Sequence, residues 1–177
     1  DSNKEKYTLN WPGKKNALIL SNSPITKTLR PIKDDSVSFE STKNIYMDGD
    51  NLDALKILQD SYLNKIKLIY IDPPYNTGKD FLYQDNFSTE KEIELEMGGQ
   101  NDEYGNRLLK NQETNGRFHS DWLSMIYSRI KLARNLLTND GVIFISISEE
   151  EFYNLRRICN DIFGENNFRN TFIVRRH

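Results

Sequence analysis

The feature that most constrains this fold is a short apolar run that stops at two successive prolines. Residues 67–71 (KLIYI) have the length and the β-branched content of a fully buried strand, and Asp72-Pro73-Pro74 follows directly. A proline has no backbone N–H and fixes its own φ angle, so two prolines together end the strand. Asp72 is therefore expected at the carboxyl end of a buried strand.

The spacing of apolar residues predicts further strands and helices around this run. Strands are predicted at 44–47 (NIYM), 141–147 (GVIFISI) and 168–174 (FRNTFIV). Three sets of apolar residues recur at helical spacing: Leu52, Leu55, Leu58 and Tyr62; Trp122, Ile126, Ile130, Ala133 and Leu137; and Phe152, Leu155, Cys159 and Ile162. Strands that alternate with helices predict an α/β fold with a mostly parallel sheet and helices on both faces.

The third helix begins with a local pattern of its own. Ser148 is followed three residues later by Glu151, which is the capping-box pattern. Glu149, Glu150 and Glu151 are interpreted as first-turn acids that favour the helix dipole. Cys159 lies on the apolar stripe of the same helix and is interpreted as a core residue.

Two stretches do not follow the alternation of strands and helices. Residues 1–43 are polar and rich in turn residues, and they are interpreted as an N-terminal arm that wraps the domain formed by 44–177. Residues 76–118 separate a predicted strand from the helix that follows it. Connections longer than about 15 residues are usually lids, binding loops or disordered segments. This second stretch is therefore predicted to be a long loop or lid, with a short helix at 88–97.

Charge and cysteine content limit the classes of function. The net charge is −2, and the most basic block, 1–43, has 8 basic and 5 acidic side chains, so a nucleic-acid partner does not follow from charge. A single cysteine forms no internal disulfide, and no apolar run approaches the ~20 residues of a membrane span, so a cytoplasmic protein is expected. His119 and His177 lie in no metal-ligand pattern and are interpreted as ordinary polar residues, so no metal site is predicted.

The residues alone leave two interpretations of Asp72-Pro73-Pro74-Tyr75 (DPPY) open. Asp-Pro often starts a turn, and an aspartate at a strand end often only caps backbone amides. In the other interpretation, the Asp72 carboxylate and the Pro73 carbonyl each accept one hydrogen of an exocyclic amino group on a base, which makes its nitrogen more nucleophilic. Tyr75 then offers a ring on which that base stacks. The segment would be a site of amino-group alkylation.

The sequence around this motif also resembles a known family. DPPY matches the catalytic motif of amino-methylating DNA methyltransferases, and the rest resembles the modification subunit of type III restriction-modification systems. Seven segments carry the resemblance, in this order: YTLNWPGK, TKTLRP, IYMDGDNLDALKILQDSY, LIYIDPPYNTGKDF, FHSDWLSMIYSRIKLARNLL, DGVIFISI and NLRRICNDIFGENNF. The resemblance covers almost the whole chain from Tyr7 onward. It implies a partial Rossmann-like, S-adenosylmethionine-dependent methyltransferase fold.

The resemblance also implies roles for individual residues. The four residues 72–75 would be catalytic, with Tyr75 stacked on a target base that is flipped out of the duplex. Asp50 and Asn51 are expected to contact S-adenosylmethionine together with Asp72. For Asp50 a competing interpretation stays open, because it could simply cap a helix that begins at the next residue. The residues expected to line the substrate site are Asn76, Thr77 and Gly78.

One element of the family pattern is missing from the sequence. The cofactor turn of this family has the pattern F-x-G-x-G, and no two glycines of this chain are spaced as G-x-G. In the class that includes type III modification subunits, this turn follows the catalytic motif and a target-recognition insertion. The resemblance therefore implies the N-terminal part of a longer protein, with the catalytic half of the methyltransferase domain. We expect this part to be inactive by itself.

The leading hypothesis is a DNA adenine N6-methyltransferase of a type III restriction-modification system, which uses S-adenosylmethionine as methyl donor. The resemblance implies double-stranded DNA, a second modification subunit and a helicase-nuclease restriction subunit as partners, and no membrane. N4-cytosine methylation stays open as an alternative, since it acts on an exocyclic amine in the same geometry. The other alternative is a DNA-binding or assembly module without catalytic activity.

Overall fold

The computed structural model describes residues 7–83, 100–101, 107–112 and 114–175. Its α-helices are α1 (Lys14–Asn22), α2 (Asn51–Tyr62), α3 (Phe118–Leu136) and α4 (Glu149–Phe163), and a 3₁₀ helix follows at Glu165–Asn167. Its strands are β1 (Ile66–Ile71), β2 (Phe81–Tyr83), β3 (Gln100–Asn101), β4 (Arg107–Lys110) and β5 (Leu137–Ile145). The three predicted helices correspond to α2, α3 and α4, whereas α1 was not predicted.

A two-stranded parallel sheet brings the ends of β1 and β5 together. Leu68 lies opposite Val142 and Ile71 lies opposite Ile145, but the register shifts between Ile66 and Leu68. Gly141 lies at this irregularity, where an added Cβ would lie 3.0 Å from the Thr138 carbonyl oxygen. β5 begins directly after α3 and ends at Ile145, so the strand predicted at 141–147 is confirmed with different ends.

Helix α3 forms the centre of the core. α1, α2 and α4 each contact it, and Trp122, Ile126 and Ile130 of α3 are at most 1% exposed. Ile71 and Ile145 from the sheet pack against the same cluster. Burying one such aliphatic side chain contributes about 1.5–3 kcal/mol, so α3 is the main source of stabilisation for both strand ends. None of the helices in the described ranges is long and apolar enough to cross a membrane.

One face of the parallel sheet is covered and the other is exposed in the described residues. Leu68 is 55% and Tyr70 64% exposed, and their partners Val142 and Phe144 are 38% and 41% exposed. The prediction of a fully buried strand at 67–71 was therefore wrong. Within the described part of the chain no helix covers this face, so the fold is α/β with a small parallel sheet. A complete Rossmann-like arrangement stays a prediction.

Two predicted strands are absent from the described residues. The backbone at 44–47 forms no strand, and Ile45 and Tyr46 are 61% and 90% exposed. The same is true of 168–174, where Ile173 is 96% exposed. A strand is stable only when its N–H and C=O groups bond to a neighbouring strand. Both segments have strand-like side chains, but no described strand runs alongside them.

The long connection after β1 contains strands of its own. β2 and β3 each pair antiparallel with β4, in the order β2-β4-β3. The helix predicted at 88–97 lies outside the described residues. The predicted arm contains α1, whose Ala17 is fully buried and which packs against α3. The domain boundaries at 43 and 44, and the role of 76–118 as a lid, stay predictions.

Candidate active site

The segment 72–75 begins where the β1–β5 ladder ends. The Ser146 N–H donates to the Ile71 carbonyl oxygen at 2.9 Å, and Asp72 is the next residue. Asp72 is exposed, whereas Pro73 is buried and Pro74 and Tyr75 are partly buried. The two prolines therefore end the strand as predicted, and the carboxylate is accessible beyond its carboxyl end.

The backbone carbonyls of this segment have different partners. The indole N–H of Trp122 donates to the Pro74 carbonyl oxygen at 2.7 Å, and the Ser148 hydroxyl oxygen lies 3.4 Å from the Tyr75 carbonyl oxygen. Among the described residues, no donor reaches the Pro73 carbonyl oxygen. Trp122 is fully buried, so the anchor on Pro74 belongs to the core. The Pro74 carbonyl is thus held in place, whereas the Pro73 carbonyl oxygen has no described donor and can act as an acceptor.

Tyr75 and Asp72 bond directly to each other. The Tyr75 hydroxyl donates to Asp72 Oδ1 at 2.8 Å. The bond connects the carboxylate with the ring, which are the two predicted catalytic side chains. The bond uses Oδ1, so Oδ2 of the same carboxylate can accept a further hydrogen bond.

Asn76 turns the chain away from this segment and into the interior. Its φ angle is +60°, a left-handed conformation that asparagine adopts more readily than most residues other than glycine, though at some cost. Its side chain is fully buried, donates to Glu151 Oε1 at 2.6 Å and accepts from Asn111 Nδ2 at 2.7 Å. These bonds offset the cost of the backbone conformation. Its predicted role in lining the substrate site stays a prediction.

Glu151 is the central acceptor of this buried network. Its side chain is fully buried, and it also accepts from Asn154 Nδ2 at 2.8 Å. His119 Nδ1 lies 2.6 Å from Glu151 Oε1, and it donates to this oxygen in the tautomer that carries its hydrogen on Nδ1. The interpretation of Glu151 as a capping-box residue was wrong, and His119 is more than an ordinary polar residue.

The first turn of α4 shows why the capping-box pattern was misleading. Ser148 is the N-cap, but its side chain makes no capping bond and instead donates to the Glu150 carboxylate. That bond lowers the pKa of Glu150. Glu151 is at helical spacing with the buried residues Leu155 and Ile158. A carboxylate on an apolar helix stripe was the signal that could have identified it.

A tight turn follows at Thr77 and Gly78. The backbone N–H and the hydroxyl of Thr77 both donate to Asp80 Oδ2, at 2.6 and 2.7 Å. Gly78 has a φ angle of +79°, which favours glycine. Thr77 is exposed and Gly78 is partly buried, and their predicted place in the substrate site stays a prediction.

The second predicted segment lies at the start of α2. Asp50 is the N-cap, and its Oδ1 accepts from the Asp53 N–H at 2.9 Å, so Asp50 does cap the helix. Asn51 Oδ1 accepts from Arg129 Nε at 2.6 Å. A contact of Asp50 or Asn51 with S-adenosylmethionine stays a prediction.

Helix α3 sets the spacing between the two segments. Trp122 contacts Pro74 and Arg129 contacts Asn51, and these two α3 residues are seven positions apart. Seven residues are about two helical turns, so both side chains lie on the same face of α3, about 10 Å apart along its axis. One rigid element therefore positions both predicted parts of the site.

The chemistry of the two segments fits the methyl donor that the sequence implies. The exposed Asp72 carboxylate suits a positively charged sulfonium group. The partly exposed Asp50 carboxylate bonds through Oδ1 only to Asp53 among the described residues, so Oδ2 can accept from a hydroxyl group. In the ranges that the structure describes, no group of three or more His, Cys, Asp or Glu side chains is arranged to hold a metal ion.

Comparison with known proteins identifies the class. Residues 66–177 match the DNA methylase family. This match takes in more than half of the chain, so the chain belongs to the DNA methylase family. The segment 72–75 at the end of β1 lies inside the matched region.

Two individual relatives show which kind of DNA methylase the chain resembles. The chain is 42% identical over 168 residues to the type III restriction-modification enzyme EcoPI Mod subunit of Escherichia phage P1, over 93% of this chain and 26% of that protein. It is 42% identical over 167 residues to the EcoP15I Mod subunit of Escherichia coli, again over 93% of this chain and 26% of that protein. The resemblance to type III modification subunits is confirmed, and the chain spans about a quarter of the length of these relatives.

More distant similarity extends beyond type III systems. The type II methyltransferase M.KpnI of Klebsiella pneumoniae is 33% identical over 135 residues, which cover 76% of this chain and 27% of that protein.

Proposed function

We propose that this chain carries the catalytic segment of a DNA adenine N6-methyltransferase of a type III restriction-modification system. One observation supports this most directly. Beyond the end of β1, the exposed Asp72 carboxylate and the Pro73 carbonyl oxygen are two acceptors on consecutive residues, and Trp122 fixes the next carbonyl through a 2.7 Å bond. An exocyclic amino group has two hydrogens, and two such acceptors match them.

In the proposed reaction, these residues align the amino group of the target base and polarise it. When bound, S-adenosylmethionine supplies an electrophilic methyl group on a positively charged sulfur. Asp72 and the Pro73 carbonyl would hold the two amino hydrogens, so that the nitrogen lone pair is less delocalised into the base and more nucleophilic. Asp72 would also accept the proton that the amino nitrogen must lose once it is methylated. Positioning of this kind accounts for much of the barrier reduction in enzymes.

Tyr75 contributes the surface for the target base. Its hydroxyl bonds to Asp72 Oδ1 at 2.8 Å, which holds the ring beside the carboxylate. Stacking of a base on an aromatic ring contributes about 1–3 kcal/mol. An adenine seated on Tyr75 would present its amino group to Asp72.

The methyl donor would be held by the α2 start and by Asp72. Asp50 and Asn51 are proposed to contact S-adenosylmethionine, and the spacing of about 10 Å set by α3 supports a site that extends over both segments. Thr77 and Gly78 are proposed to border the target base, and Asn76, whose side chain is fully buried, is proposed to contribute to this lining through its backbone conformation. The proposed partners are double-stranded DNA, a second modification subunit and a helicase-nuclease restriction subunit.

Replacement of Asp72 in the intact gene product tests the proposal. Methyl transfer from labelled S-adenosylmethionine to DNA should be abolished in Asp72→Ala, whereas Lys79→Ala, a nearby exposed residue, should keep the wild-type rate. Activity of Asp72→Ala within about threefold of wild type would show that the assignment is wrong.

Analysis of the methylated DNA separates the two amino-group substrates. Digestion to nucleosides and mass spectrometry should show N6-methyladenine. N4-methylcytosine as the product would support the alternative base with the same residues, and a wild-type protein that methylates neither base would support a non-catalytic module.

A further inference from the structure

Glu151 is a fully buried carboxylate directly behind the segment 72–75. Its Oε1 accepts from Asn76 Nδ2 at 2.6 Å and lies 2.6 Å from His119 Nδ1, and its Oε2 accepts from Asn154 Nδ2 at 2.8 Å. Burial of a carboxylate is costly unless it is well paired, and three side-chain donors pair this one. Such a group therefore has a well-defined position.

The Asn76–Glu151 bond acts on the backbone of the candidate site. Asn76 directly follows Tyr75 and has a φ angle of +60°, so its conformation sets the direction in which the chain leaves Tyr75. Its side chain is fully buried and lies between Glu151 and Asn111. Neither Glu151 nor Asn76 exposes a side chain that could touch a base.

The segment has three anchors, and Glu151 supplies the last. At its start, the Ile71 carbonyl accepts from Ser146 at 2.9 Å, and in its middle the Pro74 carbonyl accepts from Trp122 at 2.7 Å. At its end, Asn76 bonds to Glu151 of α4. Asn76 also bonds to Asn111 and to the Phe118 carbonyl oxygen, so Glu151 is one of three partners that fix the backbone directly after Tyr75.

We propose that Glu151 is a positioning residue for methyl transfer. Through Asn76 it fixes the backbone that directs the Tyr75 ring and the Pro73 carbonyl toward the amino group, and His119 and Asn154 hold the carboxylate in place. This inference rests on the proposed function, because the positioned groups are those that would polarise and stack the target base. A displacement of about 1 Å at reacting groups can reduce a rate about 10²-fold, so a defect at Glu151 should appear in the chemical step.

The test compares two variants of the network with one matched control in the intact gene product. Glu151→Gln keeps the size of the side chain but replaces one acceptor oxygen by an NH2 group, which then faces a donor. Asn76→Gly keeps a residue that tolerates a positive φ but removes the bond to Glu151. Glu149→Gln removes an exposed carboxylate from the first turn of the same helix.

Both network variants should lower kcat by about 10–100-fold at saturating DNA and S-adenosylmethionine. The KM for S-adenosylmethionine should stay within about threefold, because the α2 start is anchored through Arg129 and not through Glu151. The control Glu149→Gln should match wild type. Fluorescence of 2-aminopurine at the target position should report weaker or altered stacking in both network variants.

A double variant distinguishes an effect of Glu151 that acts through Asn76 from two unrelated effects of the single substitutions. If the two residues act through one bond, Glu151→Gln with Asn76→Gly should be no slower than the slower single variant, whereas multiplied losses would contradict the proposal. Rates are measured well below each melting temperature, so that loss of folded protein does not lower kcat. Where Glu151→Gln does not fold, Asn76→Gly leaves α4 intact and provides the test.

The possible failures are distinguishable. A wild-type protein that transfers no methyl group would overturn the proposed function itself. A wild type that is active, an Asp72→Ala variant that is inactive and network variants with unchanged kcat would overturn only the positioning role of Glu151.

Discussion

At the scale of single residues, Tyr75 combines two groups with separable roles. Its hydroxyl bonds to Asp72, whereas its ring is the surface proposed for stacking. Tyr75→Phe should keep kcat/KM within about threefold, because the ring stays. Tyr75→Ala should lose about 1–3 kcal/mol of stacking, which is roughly a 5- to 150-fold loss in kcat/KM. Equal losses in steady-state methylation for Phe and Ala would show that the hydroxyl matters more than the ring.

A second prediction at this scale concerns the thiol of Cys159. Burial raises its pKa to about 12 from an ordinary value of 9.0. Because the thiolate is the reactive form, alkylation by iodoacetamide at pH 8 should be slow in the folded protein and fast in denaturant. Mass spectrometry of the peptide that contains Cys159 measures both rates, and fast labelling of the folded protein would contradict the prediction.

The same shift has a defined sign for stability. The folded state keeps the Cys159 proton at pH values where the unfolded state has lost it, so the contribution of this group is fully present below about pH 9. The free energy of unfolding should decline from about pH 9 toward pH 12, and the decline should be shallower in Cys159→Ala.

At the scale of elements, three of the four described α-helices could be predicted from the sequence, whereas α1 was missed and two predicted strands do not form in the described residues. α2, α3 and α4 follow from apolar spacing within one segment, but the strands predicted at 44–47 and 168–174 need a neighbour that spacing does not reveal. The sequence pattern around Glu151 was also ambiguous, because it fits two different roles. A glutamate three residues after a serine fits a capping box, and only the burial of Leu155 and Ile158 on the same stripe distinguishes it.

The candidate site could be predicted only in part, for the same physical reason. The end of β1 and the exposed Asp72 follow from two prolines after an apolar run. Trp122 is 48 positions from Pro74, Glu151 is 75 positions from Asn76, and His119 is 32 positions from Glu151. Contacts across such separations depend on helix packing, which a single sequence does not specify.

The cap of α2 provides a prediction at the scale of an element. Asp50 accepts from the Asp53 N–H at 2.9 Å, and a cap of this type contributes typically about 1 kcal/mol. Asp50→Ala should lower the free energy of unfolding by about that amount, whereas Asp50→Asn should change it by no more than a few tenths of a kcal/mol, about the accuracy of the measurement. Denaturant unfolding provides the values.

The same pair of variants tests the second role proposed for Asp50. If the carboxylate also contacts S-adenosylmethionine, Asp50→Asn should weaken cofactor binding by calorimetry while stability is kept. Unchanged affinity in Asp50→Asn would restrict Asp50 to capping.

At the scale of the whole molecule, net charge determines how strongly residues 1–177 should bind DNA by themselves. Their net charge is −2, so few counterions would be released from DNA. In a mobility-shift experiment at low salt, duplex binding should be absent or weak, with a Kd on the order of 10⁻⁵ M or weaker. Tight, salt-resistant and sequence-specific binding would contradict the expectation that the residues that read bases lie elsewhere.

The two contacts along α3 also restrict how the sequence can change over evolution. A substitution on α3 changes one side chain and leaves the spacing of the two contacts intact. An insertion of one residue between Trp122 and Arg129 would instead rotate the Arg129 contact by about 100° around the helix and shift it by about 1.5 Å. Asn51 and Pro74 could then no longer both reach their partners. We therefore expect the number of residues between these two positions to tolerate change far less than the identity of the exposed residues near the end of α3, such as Arg134 and Asn135.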